Sequence, residues 1–257
     1  MPKIPLPSPF LRGKPEEASL LISRGTLKRF SPLVKGGRGG SPDLKTDSSL
    51  LTGFSHGAAG MAWALLELAT LTGEERFRKA AVDTITYERS LFSPSVKNWL
   101  NRRGESDTFS VAWSYGAPGI GLARLHSLKH LDDAQLHVEI NTALETTLAR
   151  GFCGNHSLCN GMLGNLEFLL QASQTPNYST WHSPVTRLAA SILESIRQQG
   201  WRCGVPLGVE TLGLMTGLAG IGYGLLRLAA PEKIPSLLVL APPNYDISFI
   251  QQTPKLG

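Results

Sequence analysis

One cysteine and several short polar residues mark two glycine-bounded turns that could do chemistry. Cys159 lies in His156-Ser-Leu-Cys-Asn-Gly161, just before an apolar run, and Ser114 lies 45 residues upstream in Ala112-Trp-Ser-Tyr-Gly-Ala-Pro-Gly119. A cysteine thiolate acts as a nucleophile or a metal ligand, and a tight turn before a helix suits either role. Cys159 is the one strong ligand in the two turns.

Other residues near Cys159 offer an alternative ligand set. Cys153 and His156 precede Cys159 by six and three residues, and they complete a site only if the segment bends back. Otherwise we expect Cys153 and Cys203 to be buried apolar cysteines, which is the commoner environment of a free cysteine. The remaining histidines of the central region, His126, His130 and His137, are expected at the surface or at helix ends.

The two turns belong to a set of four that recur along the chain. Each holds a G-x-x-G core followed directly by an apolar run, and the glycines recur 59, 45 and 56 residues apart. A repeat of this length holds two helices with their connections, and such periodicity indicates stacked repeat units. The four turns are SHGAAG at 55–60, SYGAPG at 114–119, CNGMLG at 159–164 and TGLAG at 216–220.

The apolar runs and the segments between them predict helices. Apolar residues at 136, 140, 144 and 148 form an i, i+4 stripe. Asp132 or Asp133 can cap that helix, and Gly200 is a plausible helix stop. No long stretch shows strand alternation, so the sequence predicts an all-α chain of helical hairpins. The predicted helices cover 61–71, 74–91, 120–128, 132–152, 166–172, 183–200 and 221–229.

Composition limits the class of protein. At 257 residues and 42% hydrophobic, the chain can bury a core, and no apolar window is long enough for a membrane span. The N-terminus lacks the apolar core of a secretory signal, and three cysteines fit a reducing cytoplasm better than a disulfide framework. Residues 1–50 are predicted to be a poorly ordered basic segment, and 244–257 a tail. No aromatic residues interleave the basic ones, so we expect no nucleic-acid partner.

Residues 51–243 resemble the C-terminal cyclase domain of class II lanthionine synthetases, in the lanthionine synthetase C-like family. The blocks that carry the resemblance are LTGFSHGAAGMAWALLELATLTGEERF, AWSYGAPGIGLARL, HSLCNGMLGNLEFLLQA and PLGVETLGLMTGLAGIGYGLLRLA. The resemblance implies an α/α toroid, and about four of its seven hairpins are found. It also implies addition of a cysteine thiol to dehydroalanine or dehydrobutyrine in a precursor peptide, which forms a thioether ring.

The resemblance also implies a zinc ion that binds and activates the thiol. Its family ligand positions correspond here to Ser114, Cys159 and Asn160, so two of the three are substituted. A hydroxyl and an amide are poor zinc ligands beside thiolate and imidazole, and we expect zinc binding to be weak or lost. His56 stands where the family has a histidine proposed as acid or base. The family's upstream catalytic aspartate has no match, and Asp43 is not in the corresponding block.

Two functions remain open, and the sequence does not decide whether the chain is an enzyme. The first is a lanthionine-forming cyclase domain of impaired activity, and the second is a non-catalytic remnant or peptide-binding scaffold without zinc. A different α/α toroid, such as a glycosidase or prenyltransferase, lacks the support of an evident carboxylate pair. Because three hairpins and the preceding dehydratase domain are missing, we expect a partner chain, self-association or marginal stability.

Overall fold

The chain folds into an arc of helical hairpins in which inner and outer helices alternate. The computed structural model describes residues 51–103 and 106–242, so the predicted segment 1–50, with Asp43, and the tail 244–257 lie outside the described residues. Each helix that follows a glycine turn packs beside the next such helix, and the first three are each followed by an outer helix that packs against it. The helices are α1 Ala58–Thr72, α2 Glu75–Ser90, α3 Ala117–Ser127, α4 Ala134–Arg150, α5 Met162–Ser173, α6 His182–Gln199 and α7 Leu218–Ala229.

The inner layer consists of α1, α3, α5 and α7, in that order. All residues of α5 are buried, and so are all residues of α3 except His126. Helices buried on every face need neighbours on every side, and these two lie in the middle of the arc. The described part is therefore an incomplete α/α toroid, as the sequence predicted.

Two short antiparallel hairpins between α2 and α3 were not predicted. Their strands are two or three residues long, which is too short to show alternation. Strand β1 Phe92–Ser93 pairs with β2 Asn98–Trp99, and β3 Asn101–Arg103 pairs with β4 Ser106–Thr108.

The predicted helices are confirmed, with changed boundaries. Inner helices begin three or four residues earlier than predicted, because the second glycine of each turn lies within the first helical turn. Asp133 caps α4 by accepting a hydrogen bond from Gln135 N–H at 2.9 Å, and Gly200 ends α6 with a φ of 73°. Leu148, the last residue of the apolar stripe of α4, is 38% exposed. No helix in the described ranges is long and apolar enough to cross a membrane.

Each inner helix is preceded by an entry segment, which we define as residues 52–57, 111–116, 156–161 and 212–217. The third residue of each helix is a glycine that faces the carbonyl oxygen six residues earlier. A Cβ at this position would lie 1.7–2.0 Å from that oxygen, so no side chain fits. The glycine–carbonyl pairs are Gly60–Phe54, Gly119–Trp113, Gly164–Leu158 and Gly220–Leu214.

Backbone hydrogen bonds join the entry segments to one another in chain order. Phe54 N–H donates to Trp113 O at 3.2 Å, Ser114 N–H to Cys159 O at 3.2 Å, and Cys159 N–H to Met215 O at 2.8 Å. In every case the earlier segment donates and the later one accepts. The four entry segments therefore lie side by side at one end of the arc.

A buried ion network connects the first two hairpins to the first entry segment. Arg124 of α3 is fully buried and donates to Glu88 of α2 at 2.9 Å and to Glu139 of α4 at 2.6 Å. The second oxygen of Glu88 accepts from Gly53 N–H at 3.1 Å and from Ala59 N–H at 3.2 Å. Burial raises the pKa of Glu88, and the Arg124 charge and these donors oppose that rise.

We expect Arg124→Met to lower the free energy of unfolding by about 3–5 kcal/mol, because it leaves the Glu88 carboxylate buried without its counter-charge. Urea unfolding followed by circular dichroism measures the change. Arg197→Met is the control, since Arg197 pairs with Glu194 on the surface and such pairs contribute little. Equal unfolding midpoints for the two variants would contradict a structural role for the Arg124 network.

Candidate functional site

The three residues at the predicted zinc positions meet where the second and third entry segments join. Ser114 is fully buried, and its hydroxyl donates a hydrogen bond to the side-chain oxygen of Asn160. The backbone bond from Ser114 N–H to Cys159 O holds the two segments in register. The retained spacing thus brings all three residues together, although their role in binding a metal stays a prediction.

Cys159 presents a half-buried thiol at this junction. Burial raises the pKa of the thiol, and a hydrogen bond with Ser114 opposes the rise without cancelling it. A free cysteine already has a pKa near 8.5. Cys159 is therefore protonated at neutral pH, and no described charge activates it.

His56 lies beside this junction on the first entry segment. It is exposed, and its ring stacks on that of Tyr115 with centroids 5.2 Å apart and an interplanar angle of 21°. Because Tyr115 directly follows Ser114, this contact places His56 at the same end of the arc as Cys159. A histidine here has the chemistry of an acid or base, and that role stays a prediction.

The alternative ligands Cys153 and His156 do not complete a site. His156 is fully buried, with one ring nitrogen accepting from Arg202 N–H at 3.1 Å and the other 3.1 Å from the Ser195 hydroxyl. The imidazole therefore holds α6 and its following loop to the third entry segment. Cys153 is exposed, which makes its predicted burial wrong, whereas Cys203 is buried as expected.

The residues at the junction do not fit a zinc ion. Within 51–103 and 106–242, no three or more His, Cys, Asp or Glu side chains group to hold a metal. A catalytic zinc needs three protein ligands, and here one thiol stands beside a hydroxyl and an amide that bind each other.

Two buried asparagines position the second entry segment, and sequence reasoning missed both. Asn98 of β2 donates to Phe109 O at 3.0 Å and Ser110 O at 2.9 Å, and its side-chain oxygen accepts from Ala117 N–H at 3.0 Å. Asn165 of α5 donates to Val111 O at 3.0 Å. An asparagine in a polar stretch is a weak signal by itself, but one inside the apolar start of α5 could have been noticed.

Two further histidines, His126 and His130, contact neighbouring helices. His126 contacts Gln171 of α5, and burial lowers its pKa. His130 lies 2.9 Å from the Thr70 hydroxyl and 3.2 Å from Glu67. Both residues lie at or just beyond the C-terminal end of α3, which confirms the expected helix-end positions, and each side chain contacts a neighbouring inner helix.

The family model of lanthionine synthetase C-like proteins matches residues 22–239, a range that includes all four entry segments. The chain belongs to the lanthionine synthetase C-like family. The match begins ahead of residue 51, where the sequence predicted the domain to start.

This chain is similar to part of two longer proteins. A lacticin 481/lactococcin biosynthesis protein of Lactococcus lactis subsp. lactis is 26% identical over 201 residues, which is 73% of this chain and 21% of that protein. The structure of a nisin cyclase aligns with a TM-score of 0.59 and 21% identity, and it covers 75% of this chain and 50% of that one. The chain thus spans about a fifth of the lacticin 481/lactococcin biosynthesis protein and half of the nisin cyclase. It shares the fold of the nisin cyclase.

Placing a cysteine and a histidine at the two predicted zinc positions that lack a good ligand should create a metal site. We expect Ser114→Cys with Asn160→His to bind about one zinc per chain, because three donors would then meet at one point, and we expect the native chain to bind little. Elemental analysis after dialysis against a weak chelator measures this. The matched control is Ser191→Cys with Asn141→His, the same residue types at exposed positions of α6 and α4. Stoichiometric zinc in the native chain would contradict the expectation.

His156 should make stability depend on pH. Burial lowers its pKa, and the Arg202 charge lowers it further. Above the pKa of about 6.5 that a histidine has in the unfolded chain, the imidazole is neutral in the folded and the unfolded state. The contribution of His156 to stability is then fully present. As the pH falls toward the depressed folded pKa, the unfolded chain takes up a proton that the folded chain refuses, so stability is lost. Urea midpoints from about pH 7 to pH 5 should fall less steeply in His156→Gln than in the exposed control His182→Gln. Parallel slopes would disprove this.

Proposed function

We propose that this chain is a cyclase-like domain of lanthipeptide biosynthesis whose zinc-assisted thiol addition is impaired. Family membership supports a peptide-modifying role, with a precursor peptide as the substrate. The observation that carries the impairment is the hydrogen bond between Ser114 and Asn160 at two of the three zinc positions. We further propose that His56 is the family's acid or base and that residues 51–243 form the domain.

The chemistry left to this chain's own residues is limited. Cys159 keeps its proton because burial raises its pKa and no cation neighbours it among the described residues. A thiol in this state is a poor nucleophile. His56 can still donate or accept a proton at the mouth of the junction, but nothing described here would generate the thiolate that must attack the dehydrated residue.

The alternative is a non-catalytic scaffold that binds peptide without zinc. The same Ser114–Asn160 contact favours it, because the two substituted side chains satisfy each other instead of presenting donors to a metal. Under either function we propose a cytoplasmic protein, since Cys153, Cys159 and Cys203 are all free. A chain that carries the missing hairpins or the dehydratase domain is a proposed partner.

A ring-formation assay separates the two functions. The chain is incubated with a dehydrated precursor peptide that carries a free cysteine, and mass spectrometry after thiol alkylation counts closed rings. We expect the Ser114→Cys, Asn160→His variant with zinc to exceed the native rate by more than about tenfold, since losing even an outer-shell partner of a metal site costs about 10–100-fold.

Cys159→Ala in each background is the control for the reaction at this junction. Ring formation by the native chain at the variant's rate, abolished by Cys159→Ala, would contradict impairment. Tight peptide binding by both chains with no rings from either would favour the scaffold.

A further inference from the structure

The last inner helix of the arc, α7, exposes an apolar face. The corresponding faces of the inner helices α3 and α5 are buried. Helices α3 and α5 are buried on all sides, whereas α7 leaves Ala219, Gly222 and Leu226 exposed on the side turned away from α5. Leu226 is 57% exposed. At the other end of the arc, α1 exposes Leu68 and Leu71. Each terminal inner helix therefore exposes an apolar surface. In α3 and α5 the equivalent surfaces are packed against neighbouring inner helices.

A repeated glycine shows what fits against α7. Gly121 of α3 and Gly222 of α7 both stand two residues after the second glycine of their turn. A Cβ at Gly121 would lie 2.2 Å from Phe168 of α5, so a side chain of the next inner helix fills that notch. A Cβ at Gly222 would meet nothing within 4 Å. The same notch is thus built into α7 and is left open.

The fourth entry segment has an open side as well. Leu214 is 46% exposed, whereas the residues at the same position of the first three segments are 4–9% exposed. Those residues, Phe54, Trp113 and Leu158, belong to segments that each have a following neighbour. Leu212, two residues before Leu214, is also exposed. The apolar side chains Leu212 and Leu214 of the last segment thus have no following entry segment packed against them within the described residues.

The backbone hydrogen bonds between entry segments all run in the same direction along the arc. Each entry segment donates an N–H to the carbonyl of the next one. Within the described ranges, Leu214 and Met215 have no acceptor for their N–H groups, and the carbonyls of Phe54 and Ser55 have no donor. Within the part of the chain that the structure describes, the last segment is therefore a donor edge and the first an acceptor edge. The N–H donors of one edge can pair with the C=O acceptors of the other edge, whereas two copies of the same edge cannot form these hydrogen bonds.

We propose that two copies of this chain pair head to tail, with the donor edge of each against the acceptor edge of the other. One contact type then satisfies both open ends at once and closes two arcs into a two-fold ring. Pairing of like edges would place N–H against N–H, which leaves buried donors unsatisfied at a cost of about 1–3 kcal/mol each. A head-to-tail contact repeats the packing that already joins α3, α5 and α7.

The pairing also bears on the candidate site. Met215 O accepts from Cys159 N–H, so the donor edge directly adjoins the junction. The partner's first entry segment, with its exposed histidine, would stand next to this edge. The proposal does not rest on the proposed function, since an inactive scaffold would close its edges in the same way.

Light scattering coupled to size-exclusion chromatography tests the pairing across a concentration series. We expect the native chain to run at twice its 27.7 kDa mass and to dissociate on dilution. Leu226→Asp and Leu214→Asp on the donor edge, and Leu68→Asp on the acceptor edge, should each halve the mass. Leu193→Asp is the matched control, because Leu193 is 52% exposed on the outer helix α6. Circular dichroism verifies that each variant stays helical.

Mixing the variants tests the head-to-tail direction. An equimolar mixture of Leu214→Asp and Leu68→Asp retains one undamaged pair of edges, so a fraction should return to the doubled mass. Two copies of either variant alone have none. A native chain that stays at 27.7 kDa throughout would overturn the proposal. So would a mixture that never associates, or a Leu193→Asp variant that dissociates as readily as Leu214→Asp.

Discussion

The close approach between a glycine and a backbone carbonyl at the start of each inner helix is the constraint on which the arc depends. A Cβ at Gly164 would lie 1.8 Å from Leu158 O, and the other three turns repeat this contact. Since the helix starts directly on its own entry segment, the segment cannot shift along the helix. Its backbone N–H and C=O groups are then aimed at the neighbouring segments, which explains why one hydrogen-bonding direction runs through the whole arc.

Buried and half-buried polar side chains complete the entry segments where the backbone alone cannot. Glu88 accepts from the first segment, Asn98 fixes the second, and the side chain of Asn155 accepts from Ser157 N–H in the third at 2.9 Å. These groups hold the entry segments, including those that carry Ser114 and Cys159. The geometry of the junction is therefore independent of whether its donors suit a metal. A serine and an asparagine at the predicted zinc positions are therefore compatible with an intact scaffold.

The sequence predicted the repeated features well because a repeat supplies several copies of the same signal. Four glycine turns at spacings of 59, 45 and 56 residues predicted the inner helices, and the resemblance predicted that Ser114 and Cys159 would meet. The sequence did not predict contacts that depend on a single residue or a single pair of residues. Asn98 acts from a strand too short to show a pattern, and the pairing of Glu88 with Arg124 joins residues 36 positions apart. The exposure of Cys153 and Leu148 depends on the neighbours, which no local pattern states.

The central claim is that the scaffold still forms the family's site although its ligands have been replaced. X-ray absorption at the zinc edge, on the metal-loaded Ser114→Cys, Asn160→His variant, tests it most directly. The account predicts two sulfur ligands at about 2.3 Å and one imidazole nitrogen at about 2.0–2.1 Å, with the fourth position taken by a light atom from solvent. A shell of oxygen and nitrogen ligands with at most one sulfur would show that the second and third entry segments do not meet as described.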